Sequence, residues 1–247
     1  MSACQFSMIL ALVVGAGLAP ALAAPAVPMF SRMVQDGPIS GWQVLKPSPG
    51  AADTRYTLVV DEGRTVLRAD ADKSMSALVH TVRVDTRRYP YLRWRWKIAA
   101  PVAGADMTQK SGDDYAARVY VMFDYPIERL PFATRMKLKV AGSLYGQTLP
   151  TAVLNYVWDN RQPVGTIRAN TYTDRARMVV TRSGAAQADT WVTETRDLRA
   201  DFRAAFGEEA PHMLALAIAT DTDNTGSQAR AWYGDLEFLP ADTGRVP

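Results

Sequence analysis

The chain has little of the chemistry that cysteine and histidine supply to proteins. Its 247 residues include one cysteine, Cys4, and two histidines. A single thiol cannot form an intramolecular disulfide, and a zinc site needs more nitrogen and sulfur ligands than these. The sequence also has no Gly-x-Ser-x-Gly elbow and no glycine-rich phosphate loop. These absences argue against cysteine and serine hydrolases, zinc enzymes and phosphate-loop nucleotide enzymes.

The sequence also lacks a long apolar run of the kind that crosses a bilayer as a helix, which takes about 20 residues. A shorter run of apolar and small residues covers residues 8–19 and is followed by Ala21, Leu22 and Ala23. This small-x-small pattern is the one that signal peptidase recognises. We therefore predict a signal peptide over residues 1–23, which removes Cys4 on cleavage. The product is then periplasmic or secreted, with no stable membrane anchor.

Charge of one sign is not concentrated anywhere in the chain. Lys and Arg number 28 against 25 Asp and Glu, for a formal net charge of +3, and both signs are scattered. Nucleic-acid-binding proteins usually gather their basic residues on one face or stripe. We therefore predict a mixed, solvated surface and no nucleic-acid partner.

What the sequence does have is alternation of apolar and polar residues, which is typical of half-buried strands. The clearest example is residues 91–98, where Leu92, Trp94, Trp96 and Ile98 share one face. Arg93, Arg95 and Lys97 lie on the other. Further strands are predicted over residues 56–60, 65–69, 78–84, 115–123, 153–158, 166–170, 177–181, 192–198, 213–220 and 229–238. Helical spacing occurs only in residues 130–143 and 201–207.

Many short strands with one or two short helices predict an all-β fold, specifically a jelly-roll-like antiparallel β-sandwich. The length fits one such domain, and the chain has no internal repeat. We place this single domain at residues 37–240. A flexible leader is predicted over residues 24–36 and a polar tail over residues 241–247.

Four segments carry a resemblance to a known family. They are GDDYAARVYV at 112–121, LNYVW at 154–158, DTDNTG at 221–226 and YGD at 233–235. In this order they resemble the exported bacterial family catalogued as domain of unknown function 3047, over nearly the whole mature chain. The resemblance implies no activity, cofactor or catalytic residue. More distantly, the strand-rich body is similar to the jelly-roll shape of carbohydrate-binding modules, which is a likeness of fold.

A candidate ligand site lies on the polar face of residues 114–124. Alternation places Asp114, Arg118 and Tyr120 on this face and Tyr115 on the opposite, core face. A carboxylate, a guanidinium and a phenol along one strand can hydrogen-bond a polyol and stack on it. The predicted ligand-binding residues are Asp113, Asp114, Arg118, Tyr120, Asn155, Trp158, Asn224 and Tyr233. The alternative is that these charges only pair with neighbouring strands, for instance with Arg93 or Arg95.

The oxygen-rich turn at 221–226 is a candidate cation site, because hard cations prefer carboxylate and carbonyl oxygens gathered in a short turn. Its start has the spacing of an EF-hand loop, but Trp232 stands where the bidentate Glu is required. An EF-hand is therefore excluded. We predict a structural calcium ion held by Asp221, Asp223 and Asp235. The alternative is a turn that caps its own backbone through its Asx side chains.

The function that these features favour is binding of a saccharide or another small polar ligand on a polar sheet face. A glycan hydrolase or lyase is the first alternative, because a glycosidase needs only two suitably spaced carboxylates. The candidate carboxylates are too many for any pair to be informative. An envelope protein that binds another protein is the second alternative.

Overall fold

The computed structural model describes residues 25–46, 50, 52–136 and 151–241. Its strands are β1 (Gln43–Leu45), β2 (Arg55–Asp61), β3 (Arg64–Asp72), β4 (Ala77–Val84), β5 (Tyr91–Ile98), β6 (Tyr115–Phe123), β7 (Ala152–Asp159), β8 (Ile167–Ala169), β9 (Ala176–Ser183), β10 (Val192–Asp197), β11 (Met213–Asp221) and β12 (Gln228–Leu239). The α-helix α1 spans Leu198–Phe206, and residues 132–136 are also helical. Short 3-10 turns lie at Phe30–Arg32, Lys110–Gly112 and Ile127–Arg129.

The strands form two sheets. The larger has seven strands in the order β1-β4-β11-β6-β7-β9-β8, and the smaller has five in the order β10-β5-β12-β3-β2. The predicted all-β, jelly-roll-like sandwich is therefore confirmed. One pair departs from the antiparallel pattern, because β9 runs parallel to β7. The chain passes from β7 to the sheet edge, forms β8 there, and returns as β9 between the two.

The core lies between the two sheets, where the alternation of β5 places its apolar side chains. Trp94 is 1% exposed and Trp96 is fully buried. Their rings meet edge to face at 5.5 Å, and Trp94 also contacts Tyr156 of the other sheet at 5.2 Å. Aromatic pairs at these distances favour such offset arrangements. The facing predicted for residues 91–98 is confirmed.

The predicted helix at 201–207 forms, but it begins earlier. Asp197 caps it, and its carboxylate accepts the backbone N–H groups of Arg199 and Ala200 at 3.0 Å. An N-cap aspartate satisfies donors that the first turn leaves unpaired. Leu198, which we predicted as the end of a strand, is therefore the first helical residue. Of the other predicted helix, residues 132–136 are helical and residues 137–143 lie outside the described residues.

The described part of the predicted flexible leader is packed against the sandwich. Phe30 is fully buried and stacks on Trp42 at 5.3 Å. His80 of β4 holds this segment, with its two ring nitrogens 2.8 Å from the Gly41 carbonyl oxygen and 3.2 Å from that of Ala26. Val27 and Phe30 are therefore part of the core and Met33 packs against it, whereas Val34 is exposed. The short strand β1 that follows was not predicted.

The predicted signal peptide and residues 242–247 of the predicted tail lie outside the described residues. Within the described ranges, no helix is long and apolar enough to cross a membrane.

Candidate functional site

A cavity of about 360 Å³ opens on the outer face of the seven-stranded sheet. The surface of β4 and β11 beside the cavity is formed by small side chains, those of Ala77, Ala217 and Ala219. Its lining comes from β6, β7, β9 and β11, from the loops before β4 and β6, from the β8–β9 loop and from the loop after β11. The lining residues are Met75, Asp113, Arg118, Tyr120, Asn155, Asn170, Tyr172, Ala176, Asp221, Asp223 and Asn224.

Arg118 is the centre of this site and is only 3% exposed. Its Nε donates to Asp221 Oδ1 at 2.7 Å, and its Nη2 donates to Asp221 Oδ2. Nη1 donates to Asp113 Oδ1 at 3.3 Å, and Nη2 also donates to the Asp113 carbonyl oxygen. Such a two-point Arg–carboxylate pair is strong and fixes the orientation of both groups. Arg118 therefore holds the end of β11 against the loop that precedes β6.

A β-bulge brings one more side chain to this face. The pairing of β6 with β11 shifts register between Ala219 and Asp221. Ala116 and Ala117 both face the core, and Tyr115 packs on the outer side, under the Arg118 guanidinium at 4.4 Å from its ring centroid. The prediction that Tyr115 faces the core is therefore wrong. A bulge inserts one residue and reverses the alternation beyond it, which strict period-2 reasoning does not include.

The carboxylates gather on one side of the cavity. Asp114, Asp221 and Asp223 each have an oxygen within 4.8 Å of the others. Asp114 is fully buried and accepts the backbone N–H groups of Asn224 at 3.2 Å and Thr225 at 2.6 Å. The turn is thus capped by a side chain from a distant loop. This differs from the predicted alternative, in which the turn caps itself.

Asp235, the third residue of the predicted calcium site, lies elsewhere. It accepts hydrogen bonds from Ser31 N at 3.0 Å and Ser31 Oγ at 2.5 Å, on the outer face of the five-stranded sheet. The grouping with Asp221 and Asp223 was wrong because β12 belongs to the other sheet. Asp114 takes the place of Asp235, and calcium binding at this turn stays a prediction.

Burial changes the protonation of this cluster. It raises the pKa of Asp221 to about 8, and Asp114 and Asp113 add to this while Arg118 opposes it. Burial and the neighbouring Asp114 also raise the pKa of Asp223. Like charges that share a buried site resist full ionisation. The cluster can therefore accept protons, hydrogen-bond donors or a cation.

The cavity lining also offers amide and phenol groups. Asn155 is 1% exposed, and its Oδ1 has no hydrogen-bond partner among the described residues. Asn170 Nδ2 donates to Asp113 Oδ2 at 2.8 Å, and Asn224 Nδ2 donates to the Tyr172 hydroxyl at 3.1 Å. Tyr172 is 57% exposed at the edge of the cavity. Its ring is the accessible aromatic surface of the lining.

Most of the predicted ligand-binding residues meet here. Asp113, Arg118, Tyr120, Asn155 and Asn224 line the cavity, and Asp114 lies behind its rim. These positions agree with the prediction that these residues lie on the polar strand face and at the adjoining turn.

Trp158 and Tyr233 do not reach the cavity, because both face the core between the sheets. Trp158 is 2% exposed, and its Nε1 donates to the Gly184 carbonyl oxygen at 3.0 Å. The Tyr233 hydroxyl donates to the Ala219 carbonyl oxygen at 2.6 Å. It also accepts the Arg118 backbone N–H at 3.3 Å, so it supports the sheet beneath the cavity.

The alternative, in which these charges pair with neighbouring strands, is right for Arg118, which pairs with Asp221 of the adjacent strand β11, but wrong in the partners it names. Arg93 pairs with Glu237 at 2.8 Å, and the Arg95 guanidinium lies over Trp191 at 4.3 Å. Both arginines are on the five-stranded sheet, so the two sets of charges are separated by the core.

Sequence reasoning missed Asn170 and Tyr172. They follow β8, a strand of three residues at the sheet edge. Their only signal was a polar residue at the end of the strand predicted over residues 166–170 and an aromatic residue two positions later. The pairing of β8 with β9 and of β9 with β7 brings them to the cavity, and no local pattern encodes those pairings.

The molecule is therefore a two-sheet sandwich with a polar, partly buried cavity on the outer face of its larger sheet. The model of the family described as protein of unknown function (DUF3047) matches residues 40–237, and the chain belongs to this family.

Solved structures with a similar arrangement include a family 30 carbohydrate-binding module from Clostridium thermocellum, at 12% identity and a TM-score of 0.34, covering 84% of this chain and 91% of that one. A family 12 xyloglucanase from Bacillus licheniformis has 7% identity and a TM-score of 0.42, covering 78% and 89%. An endoglucanase from Rhodothermus marinus has 11% identity and a TM-score of 0.42, covering 81% and 96%. No curated protein is significantly similar in sequence. No residue role is transferred from these proteins.

Proposed function

We propose that the cavity on the seven-stranded sheet binds a saccharide or another small polar ligand. The observation that carries this proposal is Asn155 Oδ1, a buried acceptor without a partner among the described residues, in a residue that lines the cavity. Leaving a buried polar atom unpaired costs about 1–3 kcal/mol. A ligand hydroxyl that donates to this oxygen recovers that energy.

The size and lining of the cavity support the same proposal. Its volume of about 360 Å³ lies at the lower end of the range for small-molecule sites, about 300–1,000 Å³. Carboxylates and amides both line it, so both donors and acceptors of a polyol find partners. Tyr172 at its edge supplies a ring on which an apolar sugar face can stack.

Binding is favoured over glycan hydrolysis, because the carboxylates are committed to other partners. Arg118 takes both oxygens of Asp221, and backbone N–H groups take both oxygens of Asp114. A general acid or nucleophile must reach the scissile bond with its carboxyl group. Of Asp114, Asp221 and Asp223, only Asp223 is exposed. A glycosidase needs two carboxyl groups at the scissile bond, and this cluster offers one.

The test is isothermal titration calorimetry of the purified protein against a panel of soluble oligosaccharides. Asn155→Leu should weaken binding of any positive oligosaccharide about tenfold, which is the loss of about 1.4 kcal/mol. Asp235→Asn on the opposite sheet is the matched control and should leave binding unchanged. Chromatography of each mixture after incubation checks turnover. Cleavage of the oligosaccharide would favour the hydrolase alternative, and absence of any binding would refute the proposal.

We also infer that the protein binds its ligand outside the cytoplasm, because a signal peptide is predicted over residues 1–23. Intact-mass analysis of the periplasmic or secreted protein should give a chain that begins near Ala24. Periplasmic material that retains Met1 would contradict this.

A further inference from the structure

The charges that line the cavity are out of balance. Asp113, Asp221 and Asp223 face one buried cation, Arg118, and Asp114 stands next to them. Four carboxyl groups thus share a single guanidinium among the described residues of the site. In a partly desolvated cavity such an excess is costly unless protons or another positive charge offset it.

Arg118 cannot form an ion pair with an acidic ligand in this arrangement. Its side chain is 3% exposed and donates to Asp113 and Asp221. Lys110 is the nearby cation at the rim, with its Nζ 5.2 Å from the centroid of the Tyr172 ring, and it does not line the cavity. A uronic acid or a phosphosugar would therefore meet carboxylates without an open positive partner.

Asp223 is the carboxylate that a ligand can reach. It is the exposed member of the cluster, and it forms no ion pair with any described residue. The unpaired Oδ1 of Asn155 provides a second acceptor on the lining. A charge-assisted N⁺–H···O⁻ bond is about twice as strong as a neutral hydrogen bond.

We propose that the preferred ligand is a saccharide with a protonated amine, an amino sugar, whose ammonium group binds Asp223. This rests on the proposed saccharide-binding function and adds the charge class of the ligand. The ammonium group offsets the excess of carboxylates. The sugar hydroxyls bond to Asn155 and Asn170, and the ring packs near Tyr172.

An ammonium group fits the cluster better than a calcium ion. Calcium takes about six to eight oxygen ligands. Both oxygens of Asp221 accept from Arg118, and both oxygens of Asp114 accept from the turn that contains Asn224. Asp223 is the member of this cluster that is exposed and forms no ion pair with a described residue.

The experiment compares three oligosaccharides of equal length in calorimetric titrations of the full chain: β-1,4-linked glucosamine, its N-acetylated form and an oligouronate. A buffer at pH 6 keeps the amines protonated, because comparable amino groups have a pKa of about 8. The glucosamine oligomer should bind at least about tenfold more tightly than the N-acetylated form, since a hydrogen bond between two charged groups is about twice as strong as a neutral one. The oligouronate should bind most weakly.

Asp223→Asn should remove the preference for the free amine, so that the glucosamine oligomer and its N-acetylated form bind with equal affinity. Asp235→Asn on the other sheet is the matched control and should retain the preference. Equal binding of the two forms, or stronger binding of the oligouronate, would overturn the charge assignment and leave saccharide binding in place. If no oligosaccharide binds, the proposed function itself fails.

A control with calcium chloride tests whether calcium, rather than an ammonium group, supplies the positive charge that binds the cluster. Calcium chloride alone should neither raise the melting temperature nor compete with the glucosamine oligomer. A calcium-dependent rise in melting temperature that is lost in Asp223→Asn would assign the cluster to the metal and overturn the amino-sugar proposal.

Discussion

The outer faces of the two sheets carry the same kinds of residue and use them differently. On the seven-stranded sheet Arg118 and Asp221 are each about 3% exposed and lie under the loops that rim the cavity. On the five-stranded sheet Arg93 and Glu237 form the same kind of pair, but their side chains are 45% and 41% exposed. Exposed pairs are screened by water, whereas a buried charge depends on its partner. Burial rather than composition therefore separates a candidate site from an ordinary surface.

The sharpest test of this comparison is to remove the guanidinium on each face. Arg118→Met should lower the free energy of unfolding by about 3–5 kcal/mol, because it leaves buried carboxylates without their partner. Arg93→Gln should change it by less than about 1 kcal/mol. Urea denaturation of both variants measures the difference. Equal losses of unfolding free energy in the two variants would show that Arg118 depends on burial no more than Arg93 does.

A smaller effect is expected from the carboxylate that caps the turn. Asp114→Ala leaves the backbone N–H groups of Asn224 and Thr225 without an acceptor and should cost about 1–3 kcal/mol. The control is Asp235→Ala, which frees donors of Ser31 on the open face and should cost about 1 kcal/mol or less. Thermal unfolding followed by circular dichroism compares the two. A neutral Asp114→Ala variant would mean that water replaces the carboxylate.

The faces should also differ in how stability depends on pH. The pKa of Asp221 is raised to about 8 in the folded state, against about 3.9 in an unfolded chain. Between these values the folded state binds more protons, so this group makes stability fall as pH rises from about 4 to 8. Asp221→Asn should flatten the slope of unfolding free energy against pH over that window. Glu237→Gln on the open face should leave the slope as it is.

The smallest effect on stability is expected at Asp223. It is exposed and forms no ion pair with a described residue, so Asp223→Asn should change the free energy of unfolding by less than about 0.5 kcal/mol. We expect substitution of Asp223 to change ligand binding, whereas substitution of Arg118 or Asp114 beside it changes stability. A loss of several kcal/mol in urea denaturation would mark Asp223 as a structural residue.

Local patterns were sufficient for most of the strands and for the facing of β5. In β5 the alternation alone placed Trp94 and Trp96 in the core, because side chains on a strand point to opposite faces in turn. The segment around Phe30 and the strand β1 escaped prediction, because they are stabilised by contacts with distant residues such as His80 and not by a repeat of their own.

The sequence by itself determined the all-β class and the polar face that carries Arg118 and Asn155, since both follow from short-range alternation. Only the tertiary structure decided which residues join that face. A bulge turned Tyr115 outward, strand order placed Asp235 and Tyr233 on the other sheet, and the turn brought Asp114 to Asp221. These outcomes depend on pairing between residues far apart in the chain, and the period of a single strand contains no information about its neighbours.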